Sequence, residues 1–105
     1  MVNKKIQKQV EVFVDRIKVA FQPEMVVLFG SYVSGKTTPY SDIHILVIAK
    51  KFTRGNTFER FSQMYDLSED LERDINAIGV TPNELRKAVY KTTLRDALET
   101  GIIIG

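Results

Sequence analysis

The sequence predicts a small α/β or α+β domain, in which amphipathic helices pack on a mixed sheet of about three to four strands. Two observations predict this class. Apolar residues recur at helical steps of three and four in some segments, and short runs rich in β-branched residues lie between those segments. With 105 residues, 44% of them hydrophobic and 27% charged, the chain is expected to form one domain over residues 1–105.

Two amphipathic helices are predicted before the last strand of the sheet. Residues 4–21 carry an apolar stripe, and Pro23 ends this helix because the residue before a proline is driven out of the helical conformation. A second long helix is predicted over about residues 57–73, after a polar loop. Its predicted apolar face consists of Phe58, Phe61, Met64, Tyr65 and Leu71.

A third helix is predicted near the C-terminal end. Thr81 and Glu84 form a capping box with Pro82 at the first helical position, and the helix is expected to reach about Thr100 and stop at Gly101. The isoleucines at positions 102–104 are expected to pack back onto the domain's own sheet. The alternative is that they add a strand to another chain.

Three strands are predicted between these helices. Residues 25–29 are a continuous apolar run, which is typical of a strand covered on both faces. Residues 42–49 are rich in β-branched side chains, and residues 75–80 form the third strand. Residues 30–41 are rich in turn formers and connect the first two strands.

The composition narrows the range of partners. A net charge of +2 is too small to argue for nucleic acid. The absence of cysteine excludes disulfides and thiolate metal sites and fits a reducing cytoplasm, which is the expected compartment. No apolar run approaches the ~20 residues of a membrane span, so no membrane role is expected.

The glycine-rich segment over residues 30–37 has two interpretations. It matches the phosphate-loop pattern G-x-x-x-x-G-K-[ST] and follows an apolar strand. In a phosphate loop, however, the Lys-Thr end opens a long helix, whereas Pro39 and a strand near residue 42 follow here almost at once. The phosphate-loop interpretation therefore requires a long helix at Lys36 and fails if a strand starts near residue 42.

The second interpretation uses Gly30, Ser31 and Asp42, with ten residues between the serine and the aspartate. This arrangement resembles the Gly-Ser-x10-Asp-x-Asp motif of polymerase-beta-type nucleotidyltransferases. Gly35 and Ser41 also fall where that motif often carries glycine and serine. The similarity covers roughly residues 25–98 and is closest in kind to the minimal nucleotidyltransferases. It implies a nucleotidyltransferase fold and transfer of a nucleoside monophosphate from ATP, or a similar triphosphate, to a hydroxyl.

The resemblance implies a role for each residue of this motif. Gly30 and Ser31 would bind the triphosphate through backbone amides and the serine hydroxyl, and Lys36 is a candidate phosphate contact. Asp42 would hold Mg²⁺, or Mn²⁺, between the protein and the nucleotide phosphates.

The sequence departs from the family pattern at two acidic positions. His44 replaces the second aspartate, and Asn76 aligns with the third carboxylate, with Asp74 as the alternative for that position. A histidine nitrogen suits Mg²⁺ poorly and asparagine offers only a neutral oxygen. We therefore expect a weak metal site at Asp42 and His44, and weak transfer from a catalytic set of Asp42, His44 and Asn76.

The alternative function is a non-catalytic module that binds only nucleotide or a partner. The missing carboxylates favour it. Minimal nucleotidyltransferases are frequently the antitoxin partners of small helical HEPN proteins, so the resemblance implies an antitoxin-like subunit and a HEPN-type partner. Because a chain of this size leaves a shallow site, a second copy of the chain is also a candidate partner.

Overall fold

The computed structural model describes residues 4–35, 41–54, 56–88 and 92–105. These residues form five α-helices, a short 3₁₀ helix and four strands. In chain order they are α1 (Lys4–Phe21), β1 (Met25–Phe29), α2 (Ser31–Ser34), β2 (Ile43–Ile48), the 3₁₀ helix (Lys50–Arg54), α3 (Thr57–Asp66), β3 (Ile75–Val80), α4 (Pro82–Ala88), α5 (Thr92–Thr100) and β4 (Ile102–Ile103).

The four described strands form one mixed sheet in the order β3-β2-β1-β4. β1 runs antiparallel to both β2 and β4, whereas β2 and β3 run parallel to each other. Parallel neighbours need a crossover connection, and α3 lies within the segment that supplies it. The predicted class, a small mixed sheet packed by helices, is confirmed.

The sheet is covered by helices on both faces, as the continuous apolar run of β1 predicted. On β2, Ile43 and Ile45 belong to the core that packs against α1, whereas Leu46 and Ile48 pack on the opposite face, which α5 covers. Because strand side chains alternate between faces, His44 belongs to the α5 face. His44 is nevertheless only half-buried, while Leu46 is fully buried.

The second helix is shorter than predicted, and its end at Asp66 corrects the expected end near residue 73. The amide of Leu67 donates to the carbonyl of Met64, and the amide and hydroxyl of Ser68 donate to the carbonyl of Tyr65, which tightens the chain into turns. Arg16 of α1 also donates to the carbonyl of Leu67, at 2.8 Å. A tertiary contact from a helix far away in the sequence therefore helps to set this boundary.

The apolar face predicted for this helix is also wrong in most positions. Only Met64 is fully buried, and Leu71 packs partly buried against the same core from the turns after the helix. The side chains of Phe58, Phe61 and Tyr65 are 77%, 45% and 50% exposed. α3 packs along β3, an edge strand of the described sheet, and turns Met64 and Arg60 inward.

The C-terminal predictions are partly confirmed. The helix predicted to run to about Thr100 is described as two helices, α4 and α5, and residues 89–91 between them lie outside the described residues. The capping box is confirmed, because the Glu84 amide donates to Thr81 Oγ1 at 3.1 Å and the Thr81 amide donates to Glu84 Oε1 at 2.8 Å. The isoleucine tail returns to its own sheet, where β4 pairs with β1.

None of the helices in the described ranges has the length and apolar character needed to cross a membrane.

Glu84 joins the capping box to α3. Its carboxylate accepts hydrogen bonds from Arg60 at 2.6 Å and 3.1 Å as well as from the Thr81 amide. The Arg60 hydrogen bonds, more than the Thr81 amide, hold the pKa of Glu84 below its ordinary value. The Arg60 side chain is only 9% exposed, so loss of Glu84 would remove a charge partner of a mostly buried guanidinium.

This contact predicts an acid-dependent part of the stability. Because the pKa of Glu84 is lower in the folded than in the unfolded chain, its carboxylate stabilises the fold above the unfolded pKa, and the contribution is lost as the pH falls through the folded value. Glu84→Gln should lower the free energy of unfolding by about 1–2 kcal/mol near neutral pH, a modest value because the Glu84 side chain is 45% exposed. Urea unfolding between roughly pH 7 and pH 3 should show a smaller acid dependence for this variant than for the unmodified chain.

Glu99→Gln is the matched control, because Arg95 and Glu99 form an exposed pair on α5. It should change the free energy of unfolding by less than about 0.5 kcal/mol. Equal effects of the two substitutions would contradict the role given to Glu84.

Candidate functional site

Gly30 forms the turn between β1 and α2, and its backbone has a conformation that favours glycine. Its φ of +84° and ψ of −151° lie in a region that side chains avoid. A Cβ at this position would also lie 3.1 Å from Cδ2 of His44, closer than ordinary van der Waals contact. The backbone of the turn therefore lies directly against the side chain of His44.

The strand register places His44 at the centre of a row across the sheet. Phe29 of β1 lies opposite His44 on one side, and Asn76 of β3 lies opposite it on the other. The rings of Phe29 and His44 are 5.6 Å apart between centroids. The two residues predicted to stand at the second and third acidic positions of the motif are thus direct neighbours in the sheet.

Asp42 lies immediately before β2 and is exposed. It shares a depression of about 270 Å³ with Asp74 and Asn76. The amide of Ile43 donates to the carbonyl of Asp74 at 2.9 Å, which ties the starts of the two parallel strands together. Sequence reasoning left Asp74 and Asn76 as alternatives, and the fold places both beside Asp42, with Asn76 in register with His44.

A hydrogen bond connects the start of α2 to the segment before Asp42. The hydroxyl of Tyr32, a buried residue, donates to the carbonyl of Ser41 at 3.1 Å. The half-buried Ser31 precedes Tyr32, and Asp42 follows Ser41. The Gly-Ser turn and the aspartate of the motif therefore lie at the same end of the sheet.

The phosphate-loop interpretation is wrong. β2 begins at Ile43, and the helix that follows Gly30 is the short α2, which ends at Ser34, before Lys36. This leaves no room for a long helix opening at the lysine. Lys36 itself lies outside the described residues, so its role as a phosphate contact stays a prediction.

The side chains of Asp42, His44 and Asn76 do not fit a pair of magnesium ions. Within the described ranges, no group of three or more histidine, aspartate or glutamate side chains is arranged to hold a metal ion. Asp42 supplies one carboxylate, while His44 supplies a nitrogen and Asn76 a neutral oxygen. Two divalent ions would lack the charge compensation that Mg²⁺ sites in proteins usually have.

Besides Ile75 of β3, four further residues line the same depression and were not predicted to do so. They are Phe61, Tyr65, Ser68 and Glu69, from α3 and the turn after it. Helical periodicity assigned the two aromatic residues to the core, because it identifies residues that share a face without showing what that face contacts. The unusual number of aromatic residues in so short a helix was the available signal.

The glycine turn and the two adjacent strand ends lie together as the resemblance to nucleotidyltransferases predicted, and comparison with known families agrees. The profile of the nucleotidyltransferase domain matches residues 6–104. The chain belongs to this nucleotidyltransferase family, which confirms the resemblance predicted from Gly30, Ser31 and Asp42.

Two solved structures share the fold. One is a candidate nucleotidyltransferase from Sulfolobus solfataricus, with a TM-score of 0.61 and 19% identity over 98% of this chain and 87% of that one. The other is BolA1 from Arabidopsis thaliana, with a TM-score of 0.55 and 16% identity over 79% of this chain and 98% of that one. At these identities the likeness concerns the fold alone. No curated protein sequence matches the chain.

The backbone of Gly30 generates a stability prediction with an internal control. Gly30→Asn should lower the free energy of unfolding by about 2–3 kcal/mol, because of backbone strain and the contact with His44. Gly35 also has a positive φ, but it lies in the left-handed helical region, with nothing within 4 Å of a built Cβ. Asparagine tolerates that region, so Gly35→Asn should cost less than about 1 kcal/mol. Chemical unfolding of both variants measures the difference, and similar losses would show that the Gly30 turn is not constrained as described.

Proposed function

We propose that this chain binds a nucleoside triphosphate such as ATP at the Gly30 turn, and transfers a nucleoside monophosphate to a hydroxyl only weakly. One observation carries the proposal. The backbone of Gly30 lies against His44, which is in register with Asn76 and two residues from Asp42. Family membership supports the choice of ligand, because the match over residues 6–104 includes every residue of this arrangement.

The triphosphate is held mainly by groups that the sequence retains. The missing side chain at Gly30 lets phosphate oxygens approach the backbone. The hydroxyl of Ser31 and the first amides of α2 donate hydrogen bonds to these oxygens. Lys36 is the proposed additional cationic contact. None of these interactions needs the carboxylates that the chain has lost.

The transfer step depends on the groups that have been replaced. The acceptor oxygen forms a bond to the α-phosphorus, the bond from that phosphorus to the bridging oxygen breaks, and pyrophosphate leaves with the electron pair. The acceptor proton passes to a nearby carboxylate or to solvent. In the family, metal ions held by three carboxylates offset the charge of this step. Here we propose that Asp42, with His44 beside it, binds Mg²⁺ or Mn²⁺ weakly, which makes transfer slow.

The second candidate is a non-catalytic module, and the loss of both acids in one row favours it. Such a module would bind nucleotide without transferring it, or serve as the antitoxin-like partner of a HEPN-type helical protein. Turnover of the nucleotide separates the two candidates. The enzyme turns over its nucleotide, however slowly, and the module does not.

Restoring the two acids tests the proposed function. His44→Asp together with Asn76→Asp should raise the Mg²⁺-dependent formation of AMP and pyrophosphate from labelled ATP by about tenfold or more, with water as the acceptor. Asp42→Ala should abolish the activity of this double variant. The assay needs no knowledge of the natural acceptor, and ATP affinity is measured separately by equilibrium dialysis.

His44→Asn is the matched control, because it changes the same position without adding charge, and it should bring no gain. If the double variant folds and binds ATP but forms no more AMP than the unmodified chain, the assignment of His44 and Asn76 is refuted. ATP binding with no turnover by the unmodified chain, even with Mn²⁺, would favour the module.

A further inference from the structure

Three aromatic side chains on α3 form an exposed apolar surface. Phe58, Phe61 and Tyr65 follow one another at helical spacing on one side of a helix of 10 residues, and all three are exposed. The rings of Phe61 and Tyr65 stack at 6.3 Å between centroids, with 23° between their planes. We call these three residues the α3 aromatic face. Exposed apolar surface concentrated in this way marks an interaction site more often than single exposed side chains do.

The α3 aromatic face adjoins the candidate site. Phe61 and Tyr65 line the depression that also contains Asp42 and Asn76. The Gly30 turn follows β1, Asp42 precedes β2, and α3 packs along β3, so the sheet order places the turn and the helix on opposite flanks of Asp42.

The direction of the reaction assigns a role to the β3 flank, and this step rests on the proposed function. If Gly30 and Ser31 hold the triphosphate, the departing pyrophosphate lies on the β1 flank. The attacking oxygen and the leaving oxygen lie roughly in line on opposite sides of the phosphorus. The acceptor hydroxyl then enters from the β3 flank, past the α3 aromatic face.

The charge of this flank selects among acceptors. Asp42, Glu69 and Asp74 all line the depression, and no lysine or arginine is among the described residues that line it. This acidic surface repels a phosphodiester backbone, whose binding proteins use basic surfaces, and attracts a cationic partner. Aromatic rings add apolar contact and cation–π attraction to arginine or lysine side chains.

The length of the face favours a polypeptide over a small cation. From Phe58 to Tyr65 it extends roughly 10 Å along the helix, and Phe58 lies beyond the residues that line the depression. We propose that the α3 aromatic face docks a polypeptide acceptor, whose hydroxyl-bearing segment is rich in basic and apolar residues.

Binding of defined peptide pools to the full chain tests this proposal. Two fluorescent pools carry a central tyrosine or serine, flanked by lysine, arginine and leucine in one pool and by glutamate, aspartate and leucine in the other. The basic pool should bind about tenfold more tightly than the acidic pool. Phe61→Ala with Tyr65→Ala should weaken that binding by about tenfold or more, as removal of aromatic anchors usually does.

Two further variants separate the contributions of the surface. Val19→Ala is the control, because Val19 of α1 is 83% exposed and lies outside the residues that line the depression, and it should leave peptide binding unchanged. Glu69→Lys should reduce the preference for the basic pool by about tenfold, as a charge reversal at an interface does. Circular dichroism checks that each variant is folded, and if the double variant is not, Glu69→Lys still tests the charge selection.

Several outcomes would overturn the proposal. One is tighter binding of a random RNA pool, or of the polycationic sugar kanamycin, than of the basic peptide pool. A second is unchanged peptide binding in the double variant. A third is a loss of ATP affinity in the double variant, which would show that the rings contact the nucleotide. Different outcomes refute the docking surface and the proposed nucleotide site. ATP binding without any peptide binding would refute the docking surface alone, and peptide binding without ATP binding would refute the nucleotide site and, with it, the acceptor role of the face.

Discussion

The strand register around His44 is the constraint on which the site depends. It sets His44 opposite Phe29 on one side and opposite Asn76 on the other, so the chain that leaves β1 turns at Gly30 directly against the histidine ring. Only a residue without a side chain fits this approach at a φ of +84°. Along β2, helix α5 covers the same face of the sheet from Leu46 onward and leaves His44 partly open to solvent. A buried sheet thereby carries two accessible polar side chains, His44 and Asn76, at one end.

The two halves of this site rest on different physical interactions, and they can be lost independently. In the proposed function, phosphate binding uses a backbone turn, the hydroxyl of Ser31 and helix amides, which depend on the fold. Phosphoryl transfer uses fixed negative charge to hold divalent ions, which depends on side chains that mutation can replace without disturbing the strands. Under the proposed function, His44 and Asn76 occupy the strand positions of two family acids without supplying their charge. A member of the nucleotidyltransferase family can in this way keep the shape of the site while its chemistry is reduced.

Much of the fold could be predicted from local signals. The stripe of α1, the β-branched runs of the strands and the capping box at Thr81 each fix their element through nearby residues. The alignment of residues 75–80 with the family's third acidic strand predicted that Asn76 would lie near Asp42, and the fold places them together. α3 could not be predicted in the same way. Periodicity groups Phe58 and Phe61 with Met64, but helix packing at a sheet edge decides that only Met64 of these three turns inward, together with Arg60. The end of this helix depends partly on Arg16, and the place of Glu69 in the depression depends on the turns that follow, so both are tertiary effects.

The location of the bound nucleotide decides whether the Gly30 turn is the triphosphate site. Another, larger groove of about 510 Å³ lies between α1, α2 and β4 and is lined by Val14 and Ile104 among others. This groove is the competing position for ATP. In an amide-resolved NMR titration with ATP, binding at the Gly30 turn predicts saturable shifts centred on Ser31 and His44, with little change at Val14 and Ile104. Shifts centred on the groove residues, with Ser31 and His44 unaffected, would contradict it.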